Sequence, residues 1–252
     1  MTSKIALVTG GSRGLGKDSA IQLAKKGFHI ILTYQTKKEF ADEVVKEIEK
    51  MGQKAFALPL DISTTAGFNQ FANEVKDILD TQFASAKLDA LVNNAGIGIN
   101  QSFETTTEET LDAMTNIHFK GPYFLTQKLL PLLNDGSSIV NTSSGLARFS
   151  FAGYSAYGAM KAAIDSLSRY QALELGSRKI RVNSIAPGAI ETDFGGGVVR
   201  DISDLNQHIA SETALGRVGL PDDIGSVVAF LCSEDSKWIN AQRIEVSGGY
   251  KI

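Results

Sequence analysis

Residues 5–16 read IALVTGGSRGLG, an apolar run that stops at a cluster of glycines. An apolar run this short, closed by glycines, is typical of a buried strand that ends in a tight turn. Glycines there allow backbone amide groups to approach a pyrophosphate, and the N-terminus of the next helix attracts its negative charge. The stretch therefore predicts the first strand and the phosphate loop of a dinucleotide-binding fold, in which the expected cofactor contacts are Gly10, Ser12, Arg13, Gly14, Leu15 and Gly16.

Two other interpretations of these glycines stay open. From Gly11 the sequence nearly matches the phosphate-gripping pattern GxxxxGK followed by Ser or Thr, but Asp18 stands at the last position. Asp18 lacks the hydroxyl that would ligate magnesium, and its carboxylate would repel phosphates. The other alternative is a glycine turn with a structural role alone. The spacing Gly10-x3-Gly14-x-Gly16 also departs from the usual GxGxxG pattern, so the rest of the chain has to decide.

Similar apolar runs recur along the chain and alternate with longer segments of helical spacing, among them residues 111–130. Such alternation gives right-handed crossovers and a parallel sheet that is covered on both faces. We therefore predict an α/β fold, a single doubly wound Rossmann-type domain over residues 1–252, with helices on both faces of a seven-stranded parallel sheet. The predicted strands cover residues 5–9, 29–33, 55–58, 90–93, 138–142, 181–186 and 243–246.

Composition argues against several classes of protein. Hydrophobic residues make up 43% and charged residues 21% of the chain, and the net charge is −3 without a basic run, which argues against a nucleic-acid partner. No apolar run approaches the ~20 residues needed to cross a bilayer. The single cysteine, Cys232, lies in an apolar run and is expected in the core, and the three histidines show no zinc spacing. We expect a cytoplasmic protein with no metal and no membrane or nucleic-acid partner.

The carboxyl ends of the second and third strands carry the next candidates, because ligands of such sheets bind there. NAD-preferring proteins place a carboxylate after the second strand to bind the ribose hydroxyls. This chain has Tyr34, Gln35 and Thr36 instead. The missing acid, with Arg13 and nearby lysines to neutralise a 2′-phosphate, favours NADP(H) over NAD(H). Asp61, followed by Ile62, could accept a hydrogen bond from an adenine amino group or could cap the next helix.

The fourth strand ends in residues 93–96, Asn-Asn-Ala-Gly. Small residues such as Ala95 and Gly96 leave room for a ribose or a ring against the backbone. The amides of Asn93 and Asn94 can fix neighbouring loops. We therefore expect Asn93, Ala95 and Gly96 to contact the cofactor.

Tyr157 and Lys161 lie four residues apart, which on a helix places both side chains on one face. The ammonium group favours the phenolate and is expected to lower the tyrosine pKa from its usual value of about 10. A phenol of that kind can donate and accept protons near neutral pH. Tyr34 and Lys38 repeat the spacing at an expected strand end, so the pattern needs its context.

With these motifs together, the chain resembles the short-chain dehydrogenase/reductase family over essentially its whole length. The resemblance rests on TGGSRGLG, Asp61, NNAG, Asn116, NTSSG, YGAMK and IAPGAIETDF. It implies a catalytic set of Asn116, Ser144, Tyr157 and Lys161, in which Ser144 rather than Ser143 is chosen because it lies thirteen residues before the tyrosine. Asn116 is implied to anchor a water that links the lysine to solvent, or it is a polar residue at a helix kink.

The resemblance also implies a reaction, in which a ketone or aldehyde and its alcohol are interconverted with Tyr157 as general acid and base. Ser144 is implied to orient the substrate oxygen, and Lys161 to hold the nicotinamide ribose. An NAD-dependent alcohol dehydrogenase of the family and a non-enzymatic nucleotide sensor remain as alternatives. The likeness is nearest to the 3-oxoacyl carrier-protein reductase group, and family members commonly form homotetramers. The cofactor contacts that it adds after the sixth strand are Pro187, Gly188, Ile190 and Thr192.

The segment after those contacts, about residues 191–215, is expected to cover the substrate. It opens with Phe194 and three glycines, which suggest a lid that bends easily, although a disordered surface loop is the plain alternative. Phe149, Phe151, Tyr154 and Phe194 make the expected pocket aromatic. We therefore predict a hydrophobic or aromatic small-molecule carbonyl or alcohol substrate.

Overall fold

The computed structural model describes residues 4–84 and 86–252. Its strands form one seven-stranded sheet in the order β3-β2-β1-β4-β5-β6-β7, with every neighbouring pair parallel. The predicted doubly wound parallel sheet is therefore confirmed. The strands are β1 (Lys4–Val8), β2 (Phe28–Tyr34), β3 (Ala55–Pro59), β4 (Leu88–Asn93), β5 (Leu133–Thr142), β6 (Arg181–Pro187) and β7 (Arg243–Val246).

Helices cover both faces of the sheet. Alternate residues of β1 point to opposite faces: Ala6 and Val8 lie in one buried cluster, Ile5 and Leu7 in the other. The first cluster packs under α1, α2 and α9, the second under α3, α5 and α6. The helices are α1 (Gly14–Lys25), α2 (Lys38–Glu49), α3 (Phe68–Gln82), α4 (Glu108–Thr115), α5 (Gly121–Leu129), α6 (Ser155–Glu174), α7 (Val198–Asp201), α8 (Ser203–Ser211) and α9 (Pro221–Leu231).

Two elements differ from the sequence prediction. The fifth strand begins at Leu133 rather than at residue 138, because the polar residues 134–137 concealed its start. The helical pattern of residues 111–130 is present, but a π-turn, Asn116–Lys120, separates α4 from α5. Within that turn the amide of Gly121 donates to the carbonyl of Asn116, one residue beyond the α-helical partner. Cys232 lies in the buried core, as predicted.

The order of the strands reverses beside β1, where the chain returns from β3 to pair β4 with the free side of β1. The loops that leave the two strands diverge here and open a crevice, which is where such sheets bind ligands. The hydroxyl of Thr9 accepts hydrogen bonds from the amides of Asn94 at 2.9 Å and Ala95 at 3.0 Å. Gly10, with φ 64°, faces the same turn, and a Cβ there would lie 2.9 Å from Ala95 Cα. Glycine is therefore required at this position.

Candidate active site

A crevice of about 570 Å³ lies at the carboxyl ends of the strands. It is lined by the loops that follow β1 to β6, by the N-terminal part of α6 and by the segment after β6. All the residues that the sequence predicted as cofactor contacts line it, apart from Asn93. These residues are Gly10, Ser12, Arg13, Gly14, Leu15, Gly16, Tyr34, Gln35, Thr36, Asp61, Ile62, Ala95, Gly96, Tyr157, Lys161, Pro187, Gly188, Ile190 and Thr192.

The glycine loop brings α1 close to the end of β1. A Cβ at Gly16 would lie 2.2 Å from the carbonyl oxygen of Gly10, so no other residue fits there without movement. The first turn of α1 carries no acidic residue and no side-chain cap. Its amide groups are thus available to an anion, and the cradle fits a pyrophosphate.

The end of β2 is suited to a phosphate rather than to a ribose hydroxyl. Within the described chain, the crevice residues after β2 are Tyr34, Gln35, Thr36 and Lys37, and none is acidic. Arg13 lines the same crevice and pairs loosely with Asp193 at 3.8 Å. Asp61 caps its own turn, since one carboxylate oxygen accepts from the amide and the hydroxyl of Ser63 at 2.9 and 2.7 Å. It also lines the crevice, so both interpretations of Asp61 stand.

Ser144 and Tyr157 meet across the crevice. Ser144 caps the short turn after β5, where its hydroxyl accepts from the amide of Leu146 at 3.2 Å, and its side chain interacts with the Tyr157 hydroxyl. Ser143, the competing serine, is buried and donates to the carbonyl of Lys161 at 3.2 Å. The two neighbouring serines therefore have separate environments, and Ser144 is the one that interacts with Tyr157.

Lys161 lies one turn below Tyr157 on α6, with its Nζ 5.5 Å from the centre of the tyrosine ring. Its side chain is buried, and Nζ donates to the carbonyl of Thr142 at 2.7 Å. Burial lowers the pKa of Lys161 to about 8, while the charge of Asp165 one turn further along opposes that shift. The other pair of that spacing, Tyr34 and Lys38, has a different environment, because Lys38 is exposed and its Nζ pairs with Asp42 on α2 at 2.7 Å.

The pKa of Tyr157 moves in the direction opposite to the one expected from its lysine. Burial raises it above its ordinary value, the hydrogen bond from Ser144 opposes the shift, and Tyr154 adds to it. The expectation of a lowered pKa is thus wrong for this fold, since desolvation of the phenolate outweighs the nearby charge. A raised pKa keeps the phenol protonated, which is the form that donates a proton.

Asn93 and Asn116 lie away from the crevice. Asn93 is buried, and its amide donates to Thr126 at 2.9 Å and to Asn141 at 2.8 Å. The next residue, Asn94, lines the crevice in its place and ties the loops together by donating to the carbonyl of Thr9. Asn116 begins the π-turn and is not among the residues that line the crevice, whereas His118 is.

Aromatic rings form the outer wall of the crevice. Phe194 lies 5.6 Å and Tyr154 6.3 Å from the ring centre of Tyr157, and Phe149 and Phe151 line the same space. The predicted aromatic pocket is therefore present. The segment from Phe194 onward is a 3-10 turn followed by α7 and α8 rather than an irregular loop.

Sequence reasoning missed three residues of this region. His118 packs edge-on against Tyr157 with ring centres 5.1 Å apart. Arg243, on β7, donates to the carbonyl of Ser144 at 2.9 Å. Tyr250 packs edge-on against Phe149, with ring centres 5.3 Å apart, and lines the crevice. Only His118 left a signal in the sequence, since it is a polar residue close to Asn116 within a mostly apolar helix.

Comparisons with known proteins agree with this geometry. The family model described as enoyl-(acyl carrier protein) reductase matches residues 10–251. Hydroxynaphthalene reductase-like protein Arp2 of Metarhizium brunneum is 35% identical over 99% of this chain and 95% of its own length. The chain belongs to the short-chain dehydrogenase/reductase family, a family of oxidoreductases.

Two solved structures superpose closely. The reductase LugOII, described as promiscuous and as catalysing keto-reduction at C1 in lugdunomycin biosynthesis, has a TM-score of 0.93 and 34% identity, covering 99% of this chain and 98% of its own. The angucycline C-6 ketoreductase LanV, solved with bound NADP, has a TM-score of 0.93 and 35% identity, covering 99% and 96%. LanV was also solved with NADP and rabelomycin, at a TM-score of 0.90 and 36% identity, covering 99% and 96%.

Proposed function

We propose that this protein is an NADP(H)-dependent ketoreductase that interconverts a hydrophobic, ring-containing ketone and its secondary alcohol. The observation that carries the proposal is the meeting of Ser144, Tyr157 and Lys161 at the base of an aromatic-walled crevice. Each of the three has the chemistry that carbonyl reduction needs: a hydrogen-bond donor, a proton donor and a fixed cation.

Two parts of the crevice, the glycine loop and the end of β2, support the choice of NADP(H) as the cofactor. The cradle of Gly10 and Gly16 admits a pyrophosphate, and Arg13 with the non-acidic end of β2 suits a 2′-phosphate. NADP(H) supplies or accepts the hydride when bound. LanV, of the same fold and 35% identical, was solved with NADP, which supports the same preference in this chain.

Ser144 and Tyr157 act on the oxygen of the substrate. During reduction negative charge develops on that oxygen, and a hydrogen bond from Ser144 stabilises it. Tyr157, kept protonated by burial, donates its proton to the same oxygen as general acid. Lys161 supplies a positive charge beneath the ring that favours the phenolate left behind. The roles reverse for oxidation of the alcohol.

The aromatic wall favours a flat substrate. Phe149, Phe151, Tyr154 and Phe194 offer ring faces and edges, which pair with aromatic ligands in offset or edge-on arrangements. Phe194 already contacts Tyr157, so a ketone that reaches the phenol must lie against this ring. We infer a fused-ring aromatic ketone, a class consistent with the names of the hydroxynaphthalene reductase-like and angucycline relatives.

The test is NADPH oxidation with a panel of ketones, followed by absorbance. Tetralones and larger fused-ring ketones are expected to turn over with a higher kcat/KM than acetoacetyl thioesters or small aliphatic aldehydes. NADPH is expected to be preferred over NADH. A preference for acyl thioesters would contradict the substrate class. NADPH binding without turnover of any carbonyl would instead support the nucleotide-sensing alternative.

We further propose a homotetramer, which is common in the family, and a cytoplasmic location, which suits a chain whose single cysteine cannot form an internal disulfide. Exposed apolar side chains on α4, α5 and α6 support association, since exposed apolar surface is available for protein contacts. Those side chains are Leu111, Tyr123, Phe124, Tyr170 and Leu173. Light scattering of the purified protein tests the tetramer. The described residues contain no helix long and apolar enough to cross a membrane.

A further inference from the structure

A second, much smaller cavity lies behind the catalytic groups. Its volume is about 10 Å³, close to the size that holds one water molecule. His118, Asn93, Thr142 and Lys161 contribute to its lining. His118, Thr142 and Lys161 line both this cavity and the crevice, whereas Asn93 lines the small cavity and not the crevice.

Three of these lining residues carry buried polar atoms without a hydrogen-bond partner. The atoms are His118 Nδ1, Asn93 Oδ1 and Thr142 Oγ1. Unpartnered buried polar atoms are uncommon, because each costs about 1–3 kcal/mol. Three such atoms around one cavity of this size indicate that they share one hydrogen-bond partner, rather than that each lacks a partner independently.

The protonation state of His118 can be assigned from its other ring nitrogen. Nε2 lies 2.8 Å from the carbonyl oxygen of Ile97, which can only accept, so Nε2 carries the hydrogen. Burial and the nearby Lys161 charge lower the pKa of His118 to about 3, so the ring is neutral. Nδ1 is therefore a bare acceptor. The His118 ring packs tightly against Gly96, because a Cβ at that glycine would lie 2.7 Å from His118 Cε1. This contact restricts rotation of the ring.

The donors and acceptors around the cavity match one water molecule. Water has two hydrogens to donate, and His118 Nδ1 and Asn93 Oδ1 are two acceptors. Its oxygen can accept twice, and the Thr142 hydroxyl and the Lys161 ammonium are two donors. One of the three Lys161 hydrogens already binds the Thr142 carbonyl, so another remains for the water.

We infer that this cavity is a site for one buried water and that His118 is a positioning residue, which orders the Lys161 ammonium beneath Tyr157 through that water. The inference assigns to His118 the water-anchoring role that the family resemblance had placed on Asn116. It rests on the proposed function only for the effect on turnover. The water site itself is independent of any substrate.

Two substitutions of His118 distinguish the role of Nδ1 from that of Nε2. His118→Asn keeps an acceptor near the position of Nδ1 and loses the bond to Ile97. His118→Gln reaches the Ile97 carbonyl with its amide and loses the acceptor. We expect His118→Gln to lower kcat by about tenfold to a hundredfold with little change in KM for NADPH, and His118→Asn to stay within about threefold of the native enzyme. A purely structural role through Ile97 predicts the reverse order, and that order would contradict the inference.

The partner hydroxyl gives a second test. Thr142→Val removes Oγ1 at nearly constant volume and leaves the backbone carbonyl that binds Lys161 unchanged. We expect it to lower kcat as His118→Gln does, and the double variant to lose little more than either single one, since both changes disturb one water. Losses that multiply in the double variant would contradict a shared water.

Two measurements decide the water site without turnover. A high-resolution crystal structure of the native protein is expected to place an ordered water about 2.7–3.2 Å from His118 Nδ1, and none there in His118→Gln. Two-bond proton–nitrogen NMR is expected to find hydrogen on Nε2. A dry cavity or a hydrogen on Nδ1 would overturn the inference. A native protein that holds the water yet reduces no ketone would count against the proposed function alone.

Discussion

Arg243 and Ser144, ninety-nine residues apart in the chain, are joined by a hydrogen bond of 2.9 Å from Nη2 of the arginine to the serine backbone carbonyl. Nε of the same guanidinium donates to Asp165 at 2.8 Å, one turn beyond Lys161 on α6. Asp165 also accepts from the hydroxyl of Ser184 at 2.7 Å. The last strand thus fixes the loop of the serine and the helix of the lysine relative to each other.

Arg243→Lys is expected to reduce kcat by about tenfold or more, because a lysine cannot bridge Asp165 and Ser144 at once and small displacements of catalytic groups are costly. KM for NADPH should change less. Arg178→Lys is the matched control, since Arg178 likewise pairs with Asp135 and binds the carbonyls of Leu130 and Leu133, far from the crevice. Equal loss of kcat in both variants would count against a positioning role for Arg243.

Arg13→Ala is expected to weaken NADPH binding by about tenfold to a hundredfold, because a hydrogen bond to a charged group contributes about 1.5–3 kcal/mol. NADH, which lacks the 2′-phosphate, should bind nearly as before. Lys17→Ala is the control, since Lys17 lies one turn further along α1 and pairs with Glu47 instead of lining the crevice. Titration by fluorescence measures both affinities. An equal loss for NADPH and NADH would remove the phosphate assignment of Arg13.

The lowered pKa of Lys161 predicts a loss of reductase activity at alkaline pH. With its pKa lowered to about 8, the ammonium loses its charge as the pH rises through that value, and kcat/KM for reduction should fall on that limb. A profile that stays flat to pH 10 would show that the charge of Lys161 is not needed.

The same pKa has a consequence for stability. The unfolded chain holds this proton to near 10.5, so between about pH 8 and 10 the unfolded state binds more protons. Lys161 therefore makes the free energy of unfolding rise with pH in that window. Urea titrations between about pH 8 and 10 should show that the free energy of unfolding rises less with pH for Lys161→Met than for the native protein. An identical pH dependence in both would contradict the lowered pKa.

The covering segment offers a test of backbone strain. Gly196 has φ 81° and open space around its Cα, so Gly196→Ala adds left-handed strain of about 1–2 kcal/mol without a clash. We expect a higher KM for the ketone and little change in kcat, because the strain falls on the segment that carries Phe194. Gly52→Ala is the control, since Gly52 has φ 84° and equally open space far from the crevice. A similar rise of KM in both variants would refute a covering role for the segment.

The sequence predicts this fold well because its signals are local. Apolar runs closed by glycines locate the strands, and their alternation with helices sets the topology without any knowledge of distant contacts. The position of an amide beyond a strand end is less predictable. Asn93 and Asn94 are adjacent in the chain, yet Asn93 is buried against Thr126 and Asn141, whereas Asn94 lines the crevice.

Burial is the other quantity that the sequence does not supply. The pair Tyr157 and Lys161 is visible as a spacing, but the rise in the tyrosine pKa depends on how completely His118, Phe194 and Tyr154 enclose it. The contribution of His118 likewise depends on a π-turn and on a cavity that β4, β5, α5 and α6 form together with that turn. Neither the π-turn nor the cavity leaves a periodic pattern in the sequence.

The most direct measurement is the kcat of Tyr157→Phe for a fused-ring ketone, with Tyr154→Phe beside it. Both residues line the crevice, and their rings lie 6.3 Å apart. Loss of the Tyr157 hydroxyl should lower kcat by about 10²–10⁴-fold, the usual contribution of a general acid, while NADPH affinity and Tm stay near native. Tyr154→Phe should keep most of the activity. A Tyr157→Phe enzyme with more than a tenth of the native kcat would contradict the account.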